Sequence, residues 1–289
     1  MPEEFGAILG CQIDSTCQII TPQLRTPDLH FIQYEMARLF NISLQSSLCH
    51  IFDTKILMES FLEIVVAINI KEVYWPRMIA FCLYAQFLLV SPFGDYDSKI
   101  LYILDQVEAG LNPFPLILAE TIIGLDNFPK TKRFSGSPLL LEAWFYEKLR
   151  LLESPKDIVC YKAKHYRTRK LHPMPKDVRN WLSTFPDTKV QWMCSWWRLR
   201  HVTTQSYTQC VPIAGLYSAT FYNPMRLCRQ YGQKQLIVGP MHEFEPGPLS
   251  QNFLDNLIAT WPHRTIQRYI EYDEDRSTDD QYKEWIQLQ

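Results

Sequence analysis

"SGSPLLLEAWFYEKLRLLESP", residues 135–155, decides how this chain is read. Ser137 can cap a helix and Pro138 suits a first helical position, where its missing N–H costs nothing. Leu141, Phe145, Leu149 and Leu152 then recur at intervals of four, four and three, while Glu142, Tyr146 and Arg150 line another face. Ser154-Pro155 closes the run. The spacing predicts a helix over 137–152 whose leucines and aromatics face a core rather than form a site.

The flanking sequence reads the same way. In "DYDSKILYILDQVEAGLNPFP", residues 95–115, Ile100, Ile103, Leu104 and Val107 fall at helical spacing. Asp97 or Ser98 can cap this helix, Gly110 ends it, and Pro113 and Pro115 bar its continuation. Pro115 can open a second helix through "LILAETIIGL", apolar nearly all round and so expected at the centre. Asp53 is expected to cap a helix through "TKILMESFLEIVVAI", and residues 72–90 form another with Pro76 near its start.

Downstream, "VPIAGLYSATFYNPMRLCRQYG" mixes Gly, Pro and aromatics, which predicts a turn-rich link into a short helix from Pro224 to Tyr231, stopped by Gly232. The expected fold is mainly α: a single irregular helical domain over residues 1–238 with at most a few short strands, around Val211 to Tyr222. "GPMHEFEPGPLSQ" over 239–251 reads as a linker, and 252–289 as a closing helix, Phe253 to Ile270, with an acidic tail.

Composition agrees with a packed protein. The 289 residues can bury a sizeable core, and 47% hydrophobic content with only 10 Gly argues against disorder and against a loop-rich β fold. The start Met-Pro-Glu-Glu carries no basic region followed by an apolar stretch and a cleavage site, so an intracellular protein is expected. Met78 to Val90, interrupted by Tyr84 and Gln86, falls short of the roughly 20 apolar residues that cross a bilayer. Eight cysteines, at 11, 17, 49, 82, 160, 194, 210 and 228, lack the close spacing of a stapled scaffold and are expected reduced. The sequon Asn41-Ile42-Ser43 then carries no meaning.

Most enzyme and metal signatures are missing. Cys160, His165 and His172 cluster, as do Cys194 and His201, but without the paired short spacing of structural zinc. There is no G-x-S-x-G elbow, no Gly-rich phosphate loop and no H-E-x-x-H helix; Met241-His242-Glu243 is not the last of these. Asp14-Ser15-Thr16 lacks the glycine of an aspartic protease loop. No catalytic, cofactor or metal residue is assigned, and no cofactor is expected.

Charge is uneven. Between Cys160 and His201 ten Lys and Arg face only Asp177 and Asp187, whereas Glu271 to Trp285 is strongly acidic. In "YKAKHYRTRK" and "WMCSWWRLRH" the bases alternate with Tyr161, His165, Tyr166, Trp196 and Trp197, a chemistry that suits phosphates and stacked bases. Lys162, Lys164, Arg167, Arg169, Lys170, Arg198 and Arg200 are the candidate nucleic-acid contacts. A solvated charge run and tryptophans packed in a core are the competing readings.

Three segments carry a family resemblance. "LNPFPLILAETIIGLDNF" (111–128), "GSPLLLEAWFYEKL" (136–149) and "VPIAGLYSATFYNPMRLCRQYGQKQLI" (211–237) resemble, in order, the domain of unknown function of plant retroelement-associated proteins, related to the aminotransferase-like plant mobile domain. Trp261 and "QYKEW" are similar to the closing segment of that family. "MPEEFGAILG" resembles a Pro-x-Glu-Glu-aromatic motif that lies inside the family domain, so the resemblance implies a chain that begins late.

That resemblance implies a transposon-derived or domesticated plant protein, nuclear, linked to silencing or genome stability. It also implies protein partners, among them a serine/threonine phosphatase by association, and supplies no catalytic set. The expectation is a non-enzymatic interaction module. The alternatives are a nucleic-acid-binding domain using the basic stretch and an enzyme without a readable motif.

Overall fold

The computed structural model describes residues 1–11, 18–43, 51–52, 55–67, 71–204, 210–231, 234–235, 248–264, 266–268, 282 and 284. It is mainly α, as expected, with short strands in three small antiparallel ladders. The helices are α1 (Pro2–Ile8), α2 (Leu29–Phe40), α3 (Met58–Ala67), α4 (Trp75–Leu83), α5 (Ile100–Glu108), α6 (Phe114–Thr131), α7 (Pro138–Lys148), α8 (Val178–Thr184) and α9 (Gln251–Thr260). A π turn, Tyr84–Leu88, prolongs α4.

The strands are β1 (Ile51–Phe52), β2 (Lys55–Ile56), β3 (Tyr96–Asp97), β4 (His201–Thr203), β5 (Val211–Ala214), β6 (Ala219–Tyr222) and β7 (Ile266–Arg268). They pair as β1-β2-β3, β4-β7 and β5-β6. The β5–β6 hairpin, in register Val211 to Tyr222 and Ala214 to Ala219, lies where short strands were expected.

Local chemistry sets several boundaries. Asp28 caps α2 by accepting from Phe31 N at 2.8 Å, and Ser250 caps α9 by accepting from Phe253 N. Ile32, Met36 and Leu39 then bury one stripe of α2, with Phe40 beside them. Phe40 meets Phe61 of α3 and Phe81 of α4, Phe61 meets Phe81, and Phe81 meets Tyr96 of β3, all with ring centroids 5.1–5.5 Å apart. These tilted and edge-on aromatic contacts form the centre of one core that runs from Phe5 in α1 to Leu254, Leu257 and Trp261 in and beyond α9.

α6 is the central helix. Phe114 through Thr121 are buried without interruption, as the all-round apolar run foretold, although the helix continues past Leu125 to Thr131. Gly136 brings the start of α7 onto it: with φ +101° and a would-be Cβ only 2.5 Å from Thr121 Cα, no other residue fits without a shift. Ser137 N donates to Thr121 Oγ1, Ser137 Oγ donates to Phe87 O, and Ser137 Oγ accepts from Leu140 N as the predicted cap.

Four expectations need correction. The helix expected from Asp53 starts at Met58, because Lys55 and Ile56 are drawn into a strand beside Tyr96 and Asp97. The 137–152 helix stops at Lys148, where Leu149 leaves helical geometry and Arg150 takes φ +52°. Residues 224–231 form a 3-10 segment kinked at Leu227. The closing helix ends at Thr260, since Pro262 forces a 3-10 turn over Trp261–His263 before β7.

Asp14 to Thr16, Cys17, Cys49, Gly232, residues 239–247 of the expected linker and most of the acidic tail lie outside the described residues. No described helix is long and apolar enough to cross a membrane.

Candidate functional site

Helix α7 buries an unexpected face. Its buried residues are Leu140, Ala143, Glu147 and Lys148, whereas Leu141, Phe145 and Leu149 of the predicted apolar row are only half-buried. A buried charge is costly unless paired and hydrogen-bonded, so both charges at the end of α7 require partners. Each finds one far along the chain.

Lys148 Nζ lies 2.6 Å from Glu4 Oε1 of α1 and donates to Trp192 O. Glu4 Oε2 accepts from Trp144 Nε1 and from the Met1 amino group. Burial opposes the Glu4 charge, but Lys148, the amino terminus and the Trp144 N–H outweigh it and hold the carboxyl below its ordinary range. Glu3, the neighbouring residue, accepts from both Thr203 N and Thr203 Oγ1, fixing α1 to β4.

Glu147 pairs bidentately with Arg169, whose Nε also donates to Glu153 O. Burial works against the Arg169 charge, and its bonds to Glu147 and Tyr161 more than restore it. The two ion pairs are packed among tryptophans: Arg169 stands 5.2 Å from the Trp196 ring centroid and Lys148 4.9 Å from that of Trp197. Trp196, Trp197 and Cys194 form a small second core.

This arrangement divides the candidate nucleic-acid residues. Arg169 is withdrawn from solvent, with 5% of its side chain exposed, and its charge is matched by Glu147. Trp196 and Trp197 are buried, so neither offers a face to an unpaired base. Lys162, Lys164, Arg167 and Lys170 are exposed on and beside a 3-10 segment, Ala163–Thr168. Arg198 and Arg200 are exposed too, Arg198 donating to Ile158 O.

The metal-like clusters resolve differently. Cys160 and His165 share one cavity wall, His172 pairs weakly with Glu153 at 3.8 Å, Cys194 is buried and His201 is exposed on β4. Asp157 bonds the Cys160 thiol and pushes its pKa up, the opposite of an activated nucleophile. Among the described residues no three His, Cys, Asp or Glu converge as metal ligands.

The surface of α4 carries the clearest interaction signal. Trp75, Ile79, Leu83 and Phe87 follow one another every four residues through the helix and the π turn, and all are exposed. A π turn holds more residues than an α turn, so it delays the rotation that would otherwise carry Phe87 off the row. Pro76 and Gln86 are the other exposed residues of this segment, and Arg77, about a third exposed, turns aside to pair with Glu108 of α5. Helix α3, joined to α4 through Phe61 and Phe81, adds exposed Leu62 and Val66.

Comparison with protein-family models, with curated proteins and with solved structures found no match.

The retroelement resemblance therefore rests on the three segments themselves. Sequence reasoning missed the charge seam because Glu147 and Lys148 look like the solvated end of an amphipathic helix. The one available signal was register: both fall on the Leu140–Ala143 side of α7, where an outward-facing charge has no room. The α4 row was also passed over, since an apolar helix of this length reads simply as buried.

Proposed function

We propose that this chain is a non-enzymatic interaction module that docks an amphipathic helix of a protein partner along Trp75, Ile79, Leu83 and Phe87. The observation that carries this reading is the apolar outer face of α4: Met78 and Phe81 are buried in the core, and where a surface helix turns charged and polar residues to water this one also turns a tryptophan, an isoleucine, a leucine and a phenylalanine. Twelve residues of helix span about 18 Å, enough for three to four turns of a partner whose anchors repeat at the same spacing.

Charge refines the partner. Lys71 and Glu72 are both exposed at the head of the row and offset each other, whereas Glu59 and Glu63 are exposed on α3, so a helix with Lys or Arg on the side that faces α3 fits best. The plant retroelement resemblance supplies the setting we propose with it: a transposable-element origin, a nuclear location and a serine/threonine phosphatase among the candidate partners.

The test compares the native chain with Ile79→Glu/Leu83→Glu in affinity capture from plant nuclear extract, after both have been shown to fold. Partners enriched by the native chain and lost from the double variant support the reading. Identical capture by the two proteins removes it.

Nucleic-acid contact is the second reading, favoured by the exposure of Lys162, Lys164, Arg167, Lys170, Arg198 and Arg200. It is tested by titrating labelled DNA and RNA at several salt concentrations, where log affinity should fall by about 0.9 per phosphate contact for each decade of salt on a duplex. A folded chain that binds neither at low salt excludes it.

A further inference from the structure

A cavity of about 420 Å³ opens beside α6, away from the α7 charge seam, with Leu89, Pro92, Asp97, Glu120, Ile123 and Tyr217 in its wall. Glu120 is 7% exposed and lies in the middle of the central helix. Its neighbour across the cavity is the β5–β6 turn, brought close by a glycine: a Cβ on Gly215 would lie 2.5 Å from Glu120 Oε1. Leu216 N therefore donates directly to Glu120 Oε1.

The rest of the wall is organised around matched cations. Lys99 Nζ donates to Leu216 O at 2.8 Å and stands 4.1 Å from the Tyr217 ring centroid. Lys55 pairs with Asp95 at 3.0 Å and lies over Phe93. Tyr217 OH donates to Asp97 Oδ2. The cations beside the cavity thus have their anion, carbonyl or ring, whereas Glu120 Oε2 takes no hydrogen bond from any described residue. The open capacity of the site is that of an acceptor, and a negative one.

We propose that this cavity binds a small organic cation, an alkylammonium or alkylguanidinium, whose N–H is accepted by Glu120 Oε2 while Asp97 supplies a second negative charge. Leu89, Pro92 and Ile123 provide the apolar wall that an aliphatic stem needs, the usual composition of a small-ligand site with a few convergent polar groups.

The protonation state of Glu120 gives the site a signature. Burial pushes its carboxyl up to about 7; the Leu216 N–H opposes this, Asp97 adds to it and Lys99 opposes it. Of the elements packed against α6, β5 and β6 bring no charged side chain, and Glu3 and Glu4 of α1 are engaged with Thr203 and Lys148. A bound cation favours the carboxylate, so binding at or below neutral pH expels a proton.

The experiment is calorimetric titration of the full chain with agmatine and with n-butylammonium, using 1-butanol as a neutral control and buffers of different ionisation heat. The proposal expects saturable binding of both cations, a buffer-dependent heat from proton release, and affinity falling about tenfold per pH unit below 6. Glu120→Gln should weaken binding at least tenfold. Asn127→Phe, at an exposed position on the cavity wall, should do the same without touching the buried network.

Acetyl-Ala-Arg-Ala-amide separates the sources. Binding of this tripeptide as well as agmatine assigns the cation to a side chain of another polypeptide, and binding of agmatine alone assigns it to a free small molecule. Equal binding of 1-butanol, unchanged affinity in a folded Glu120→Gln chain, or no cation binding by the folded native chain would each overturn the proposal. None of these readouts involves the α4 face, so this site and the docking reading stand or fall separately.

Discussion

Glu4 Oε1 and Lys148 Nζ meet at 2.6 Å inside the protein, with the two side chains 1% and 4% exposed. Charges taken so far from water stabilise the fold only when matched, and Glu4 stands between Lys148 and the buried Met1 amino group. Lys148→Met is expected to cost somewhat less than the roughly 3–5 kcal/mol of a fully stranded buried charge, because the Glu4 carboxylate keeps the Met1 amino group and the Trp144 N–H. Glu4→Gln/Lys148→Met should regain only part of that loss, because the buried Met1 amino group then lacks its carboxylate. Urea unfolding of the two single variants and the double one measures both quantities.

The same logic separates two arginines only two residues apart. Arg169→Ala strands Glu147 in a dry setting and should destabilise by several kcal/mol, roughly the 3–5 kcal/mol of a broken buried pair. Arg167→Ala removes an exposed side chain and should stay within about 0.5 kcal/mol of the native chain. Thermal melts of both decide it, and equal losses would mean that the Glu147–Arg169 pair contributes nothing.

Stability should depend on pH through two carboxyls of opposite sign. Glu4, held below its ordinary 4.5, contributes stability that is present above that pH and lost as pH falls through its folded value. Glu120, pushed up to about 7, contributes stability that is complete below 4.5 and lost as pH rises through 7. Raising a carboxyl from 4.5 to about 7 is worth on the order of 3–4 kcal/mol, since a tenfold change in proton affinity is worth about 1.4 kcal/mol. Unfolding free energies should peak between these limits, and Glu120→Gln should flatten the decline between about pH 5 and 7.5 while leaving the acid limb in place.

Gly136 should tolerate no side chain. Alanine there would place a methyl group 2.5 Å from Thr121 Cα in a backbone with φ +101°. Backbone strain alone costs about 1–3 kcal/mol, and the overlap with α6 adds to it. Gly110→Ala is the comparison, because its φ is +79° but nothing lies within 4 Å of its Cβ. Denaturant midpoints should fall much further for Gly136→Ala than for Gly110→Ala.

The α4 row predicts a solubility effect independent of any partner. Ile79 and Leu83 are 53% and 47% exposed, so Ile79→Glu/Leu83→Glu should leave the melting temperature within a few degrees of native. It should also reduce concentration-dependent association, as light scattering would record. A collapse of the melting temperature would show that this face is packed rather than presented.

Much of the helical outline was legible because it is written in short-range chemistry. The Ser137 cap with Pro138, the stop at Gly110 and the all-round apolar run after Pro115 each act within a turn or two of themselves, and each lies where the residues placed it. Helix α2 was overlooked although Asp28 and the Ile32, Met36, Leu39 stripe announce it in the same terms. The strand at Lys55–Ile56 was not readable at all: two residues carry no periodicity, and their conformation is imposed by Tyr96 and Asp97, far along the chain.

The sequence by itself determined a mainly helical protein, since capping, proline placement and apolar spacing are local and add up along the chain. Tertiary structure alone decided which charges are spent. Lys148 meets Glu4, Arg169 meets Glu147, and the tryptophans offered as stacking platforms close over those pairs instead. A lysine or arginine looks the same in a sequence whether it faces water or a carboxylate 144 residues away. Only the packing of α1 and the 161–201 stretch onto α7 removes the water, and with it the choice.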